Sequence, residues 1–147
     1  MVKVERTVLI GYSAEAMFDL VDDVENYPQF LPWCNQTQVD FRDAVKTVAT
    51  LHIRYLGVKS HFTTQNEKKR PAEMTIRLVE GPFRQLEGTW RFKPLSEQAC
   101  KIEFQLQYVF SNKFLETIVG PVFNQISNTL VDAVVRRAEI VYGASSA

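Results

Sequence analysis

The sequence lacks most of the features that announce a catalyst. It carries only two histidines in 147 residues. There is no H-E-x-x-H, no G-x-S-x-G and no glycine-rich phosphate loop, so the common scaffolds for zinc hydrolysis, nucleophile-elbow chemistry and nucleotide binding are missing. Its two cysteines, Cys34 and Cys100, lie far apart, with no C-x-x-C and no histidine at ligand spacing. Two free thiols in a reducing compartment are expected, and no metal site. No charge of one sign dominates, because seventeen basic and seventeen acidic residues cancel. DNA is therefore not an expected partner, and any electrostatic partner must be met by a local patch. A long hydrophobic run is also missing. The longest uncharged stretch, 117–131, contains Gly120, Pro121, Asn124, Gln125, Ser127 and Asn128, which argues against a membrane span. The opening MVKVERTVLI has no apolar core of signal-peptide length, and the expected compartment is the cytoplasm.

What is present reads as one globular domain over 1–147, 46% apolar and 23% charged. A chain of this length buries roughly 70% of its unfolded surface. Val2–Ile10 alternates like a strand. Ser13 is placed to cap a helix whose apolar positions are Ala14, Met17, Phe18, Val21 and Val24. Asp22 and Asp23 near its end read as a solvated face.

From Val45 to Phe110 the period is two. Val45, Thr47, Ala49, Leu51, Ile53 and Tyr55 face one way, followed by Val58, Ser60, Phe62 and Thr64, then Met74, Ile76 and Leu78. Leu86, Gly88, Trp90 and Phe92 resume the pattern, and Cys100, Ile102, Phe104, Leu106, Tyr108 and Phe110 complete it. Such alternation predicts half-buried antiparallel strands joined by hairpins. Asn112 then caps a last helix with a stripe at Leu115, Val119, Val122, Ile126, Leu130, Val134, Ala138 and Val141, continuous through Pro121. A meander with one apolar face must be covered. The expected architecture is an α+β helix-grip fold, in which a curved antiparallel β-sheet wraps a long C-terminal α-helix. Inward aromatics spaced by Gly88 and Ala49 leave room for an internal hydrophobic cavity.

One stretch stands outside this pattern. In VENYPQFLPWCNQTQV, residues 24–39, Pro28 and Pro32 bar a long helix and a central strand, yet Tyr27, Phe30, Leu31 and Trp33 are all large and apolar. Two readings stay open: a lid or membrane-interface anchor over a greasy cavity, and plain packing beside the first helix.

The runs DDVENYPQFLPWC, VEGPFRQLEGTWRFKPL and CKIEFQLQYVFSNKF resemble the coenzyme Q-binding, START-like proteins, and among them a bacterial branch described as ribosome association toxins. The resemblance spans Val4 to Tyr142. It implies the helix-grip fold, with ubiquinone or a similar isoprenoid quinone as bound ligand and no catalytic cofactor. It also implies respiratory support as a lipid carrier, with transient contact at a membrane surface. The alternative it carries is binding to the large ribosomal subunit and a block of subunit association. The residues alone supply only an apolar ligand.

Candidate cavity or lid residues are Tyr27, Phe30, Leu31, Trp33, Phe83, Leu86, Trp90, Phe92, Phe104, Tyr108, Phe114, Ile118 and Val122. Arg6 joins them because it shares strand parity with Val4, Val8 and Ile10. It either snorkels or donates to a ligand carbonyl. Glu80, inward by parity, is its candidate partner. His52 and His61 fall on the outward parity. Lys46, Arg54 and Lys59 share that face, with Lys68, Lys69 and Arg70 near its end, and form a candidate phosphate-binding surface for lipid headgroups or ribosomal RNA. No acid–base pair converges, so catalysis is not expected.

Overall fold

The computed structural model describes residues 1–143. Its elements are β1 (Val2–Ile10), α1 (Ala14–Asp22), a 3-10 helix (Val24–Gln29), β2 (Cys34–Arg42), β3 (Lys46–Tyr55), β4 (Val58–Lys69), β5 (Glu73–Glu80), β6 (Phe83–Ser96), β7 (Ala99–Phe110) and α2 (Lys113–Val141). The seven strands form one antiparallel sheet in the order β1-β7-β6-β5-β4-β3-β2. Strands β2 to β7 are a plain meander. β1 adds to the far side of β7, so the two edges come from the first part of the chain.

α2 lies in the concave face and is held from both sides. On one side the Arg6 guanidinium of β1 donates to the Asn128 carbonyl at 2.8 Å and pairs with Asp132 at 2.7 Å. On the other side the Gln125 amide donates to the Tyr55 hydroxyl of β3 at 3.3 Å. This is the helix-grip fold. The caps form as the sequence requires: the Ser13 hydroxyl accepts from Ala16 N–H, and the Asn112 side chain accepts from Leu115 N–H. α2 runs unbroken through Pro121.

The proline-bracketed stretch is more regular than its composition suggests. Pro28 sits within the 3-10 helix, and Pro32 lies with Trp33 in the turn that leads into β2 at Cys34. Neither proline falls inside a strand, so the sheet ladder loses no donor to them. The acidic pair is not simply solvated either. Asp22 pairs with the buried Lys68 ammonium at 3.3 Å, and Asp23 accepts from the Asn26 amide.

Two expectations, one of parity and one of space, fail for local reasons. Thr63 pairs with Glu80 but Thr64 pairs with Leu78, so Val79 is an extra residue in β5. A bulge of this kind reverses the facing of the residues beyond it. Glu80 therefore points outward, with its carboxylate 3.7 Å from His61 Nε2. Gly88 leaves no room for a cavity. A Cβ there would stand 2.7 Å from the Gln105 carbonyl oxygen and 2.9 Å from a Leu106 methyl, so this glycine serves close packing of β6 on β7.

Candidate functional site

A cavity of about 90 Å³ lies between the sheet and α2. β3 and β4 supply Ala49, Leu51, Phe62, Thr64 and Asn66. β5 to β7 supply Met74, Ile76, Leu86, Trp90, Phe104 and Leu106. α2 closes it with Phe123, Ile126, Ser127, Leu130 and Val134. The remaining wall is Val21 and Val24 with Tyr27, Phe30, Leu31 and Trp33 from the proline-bracketed stretch.

That stretch reaches the cavity because its turns are fixed locally. The Leu31 and Phe30 amides both bond the Tyr27 carbonyl, and the Cys34 amide bonds the Leu31 carbonyl. Tyr27 and Phe30 meet edge to face at 5.8 Å. The Tyr27 hydroxyl donates to the Val21 carbonyl. Burial, reinforced by the Asp22 charge, raises its pKa, so it stays neutral. Leu31 and Trp33 are buried, whereas Tyr27, Phe30 and Leu130 are half-buried, so the cavity nears the surface between the 3-10 helix and α2. Arg137 of α2 spans that seam. Its guanidinium lies 5.4 Å from the Phe30 ring centre and donates to the Gln29 side chain at 2.9 Å. Arg42 secures the other flank with a bidentate pair to Glu25 at 2.6 and 2.9 Å, which lowers the Glu25 pKa.

Of the residues expected around the cavity, Tyr27, Phe30, Leu31, Trp33, Leu86, Trp90 and Phe104 line it. The others do not. Phe83 and Tyr108 pack in an aromatic cluster with Phe62, Phe110 and Phe123 that fills the space beside the cavity. Phe92 is taken up by Phe18 of α1 and by Trp90. Val122 is buried in the same layer without reaching the space. Phe114 and Ile118 are 72% and 49% exposed. Each stands one residue, a rotation of about 100°, before the stripe positions Leu115 and Val119. Arg6 has the expected facing, but its head is spent on the flank of α2 and does not line the space.

Besides the Tyr27 hydroxyl and the indole N–H groups of Trp33 and Trp90, three polar side chains line the cavity: Thr64, Asn66 and Ser127. Sequence reasoning missed Asn66 and Ser127. The visible signal was Asn66 continuing the inward parity of Phe62 and Thr64. No lining residue is acidic, basic or histidine. Cys34 is buried beside the site, and burial pushes its thiol up to about 11. Burial also raises the Cys100 thiol. Both are poor nucleophiles at neutral pH. Among the described residues no group of three His, Cys, Asp or Glu is placed to hold a metal, and no helix is long and apolar enough to cross a membrane.

The outer face of the β3–β4 hairpin is basic over a shorter span than its sequence suggests. Lys68 has the inward facing and is buried against Asp22, and Arg70 is tied to Asp19 at 2.8 Å. Lys46 lies 4.9 Å over the Phe41 ring and faces Glu67 across the ladder. His52 and His61 sit opposite each other, rings 5.7 Å apart. At the tip Arg54 and Lys59 are directly opposed, both exposed and neither with an ion-pair partner among the described residues. Like charges opposed on a ladder are destabilising. Between them Leu56, 72% exposed, is held at φ 50°, a conformation that bulky residues seldom adopt.

Residues 10–135 match the profile of the polyketide cyclase / dehydrase and lipid transport family. The chain is 41% identical over 143 residues to the ribosome association toxin RatA of Vibrio cholerae, covering 97% of this chain and 99% of that one. The coenzyme Q-binding protein COQ10 homolog B of Xenopus laevis is more distant: 28% identical over 139 residues, covering 92% of this chain and 57% of that one. Among solved structures, TTHA0849 from Thermus thermophilus superposes with a TM-score of 0.79 at 20% identity, covering 99% and 100% of the two chains. The ZhuI aromatase/cyclase of a Streptomyces species superposes with a TM-score of 0.76 at 19% identity, covering 94% and 93%. At these identities the two structures speak for the fold alone.

Proposed function

The chain belongs to the polyketide cyclase / dehydrase and lipid transport family, and from that premise we propose that it is a non-enzymatic cytoplasmic binding protein that acts as a ribosome association toxin. In this reading it engages the large ribosomal subunit and blocks joining of the subunits. Full-length similarity to the toxin relatives supports the activity. The observation that carries it to a surface is the unpaired Arg54–Lys59 cation pair, opposed across the tip of the hairpin. Two like charges held face to face without counterions are relieved by a phosphate backbone, which releases counterions on binding. Lys46, further along the same face, would add to the contact. Sucrose-gradient sedimentation with purified subunits tests this. The parent protein should travel with the large subunit and reduce the joined-ribosome peak, and R54E/K59E should do neither. A double variant that still blocks joining would remove the hairpin from the mechanism.

A second reading is favoured by the cavity: the protein holds an isoprenoid quinone and serves respiration as a carrier at the inner membrane face. Apolar walls and the likeness to a coenzyme Q-binding protein support it. Ligand sites usually measure about 300–1,000 Å³, so a space of about 90 Å³ would admit a quinone only by parting its walls. The Tyr27–Trp33 stretch is then the lid, released at the Phe30–Arg137 contact. Organic extraction of protein purified from its own cells should yield a quinone in this reading. Extracts empty of lipid would leave the ribosomal reading alone.

A further inference from the structure

The inner face of β4 changes character along its length. Phe62 is followed at two-residue steps by Thr64, Asn66 and Lys68, all buried. The first three line the cavity. The fourth, just beyond, is the ammonium neutralised by Asp22. The space is thus apolar on most sides, with Thr64 and Asn66 as polar side chains of its β4 wall and Ser127 on α2.

Of the three polar side chains at the cavity, two have their donors occupied. The Ser127 hydroxyl donates to the Phe123 carbonyl at 3.0 Å and also lies 3.2 Å from the Tyr108 hydroxyl. The Thr64 hydroxyl donates to Asn66 Oδ1 at 3.1 Å. Asn66 itself is only 9% exposed, and its amide nitrogen, with two N–H donors, has no partner among the described residues. Directly across the ladder Thr47 buries a hydroxyl oxygen that also lacks one. Buried donors in native proteins are satisfied, and one left open toward a cavity is a place for an acceptor from outside the chain.

We infer that Asn66 is the recognition donor of this cavity, which takes a neutral, largely apolar molecule carrying one carbonyl-type oxygen. The oxygen accepts from the Asn66 amide, and the hydrocarbon lies toward Leu86, Trp90 and Phe123. A neutral head is required, because Asp22 already satisfies the Lys68 charge and a buried carboxylate would find no counterion. This assignment rests on the reading of the cavity as a ligand site.

The test uses two five-membered rings small enough for the space, cyclopentanone and methylenecyclopentane, which differ only in oxygen against methylene. Nitrogen-15 NMR titration of the parent protein should move the Asn66 side-chain amide signals with the ketone and leave them nearly still with the hydrocarbon. In Asn66→Leu the ratio of ketone to hydrocarbon affinity should fall about tenfold, the scale of one hydrogen bond inside protein. Ketone-induced shifts on the indole N–H of Trp33 or Trp90 in place of Asn66 would overturn the assignment. So would an unchanged affinity ratio in the variant. If neither ring perturbs the parent, the cavity reading falls, and this inference with it.

Discussion

The two halves of the sheet share one alternating pattern and fill it differently. On β6 and β7 the inward positions are Phe83, Leu86, Trp90, Phe92, Phe104, Tyr108 and Phe110, and their rings pack on one another at 4.5–6.0 Å. On β3 and β4 they are Thr47, Ala49, Leu51, Phe62, Thr64, Asn66 and Lys68. α2 rests on both, so the half with smaller side chains cannot reach it everywhere, and the cavity opens there, bounded on its other side by Leu86, Trp90, Phe104 and Leu106. An empty space inside a close-packed protein forfeits contacts. Its persistence beside a solidly packed aromatic half is what marks it as a site.

The contrast can be broken from the packed side first. Phe92→Ala removes a ring 1% exposed that α1 and Trp90 both use, and should lose about 3–5 kcal/mol of stability while leaving the cavity walls in place. Urea denaturation measures this. A loss below about 1 kcal/mol, far under the usual cost of such a truncation, would mean the packed half is looser than its contacts imply. Trp33→Ala comes next. The indole is buried but borders existing space, so its loss should be nearer about 3 kcal/mol, accompanied by release of any apolar ligand. A variant that melts like the parent and keeps its ligand would make residues 24–39 scaffold only.

From the open side, Ala49→Leu should fill the cavity. Filling of this kind commonly adds about 1 kcal/mol, and ligand uptake should disappear. Destabilisation instead would show that the space is already occupied by its walls. The smallest effect concerns the strut between the 3-10 helix and β2. Because Arg42 lowers the Glu25 pKa, the stability from this pair is complete above the ordinary glutamate range and lost as pH falls through the lowered value. Both groups are partly exposed, so the loss should stay below about 1 kcal/mol. Comparing parent with Glu25→Gln from about pH 3 to about pH 6, a span that brackets the ordinary glutamate value, isolates it, and the two curves should converge at the acid end. A gap that stays constant with pH would remove the ion pair as its cause.

Much of this is legible in the residues. Ser13 and Asn112 announce the starts of both helices through side chains that satisfy free amides. Strict alternation from Cys100 to Phe110 gives β7 without ambiguity. The cavity is legible only in outline. Parity says that Phe83, Trp90 and Phe104 all point inward, but not that Phe83 meets other rings while Trp90 and Phe104 border open space. Glu80 escapes the pattern because a bulge leaves no mark in a run of alternating residues. Arg6 does turn inward as its parity requires, yet its head reaches past the sheet edge to α2.

By itself the sequence determined which residues turn inward, where the helices begin, and that one long helix must cover one curved sheet. Those properties come from backbone periodicity and local hydrogen bonding, which neighbouring residues control. Tertiary structure alone decided which inward residues meet each other. The curl of the sheet brings β1 and β3 to opposite flanks of α2, sets Lys68 against Asp22, and places Asn66 in the cavity wall. No local rule fixes such pairings, because they depend on how far apart the sheet and helix stand at each position, and that distance is set by the largest side chains between them.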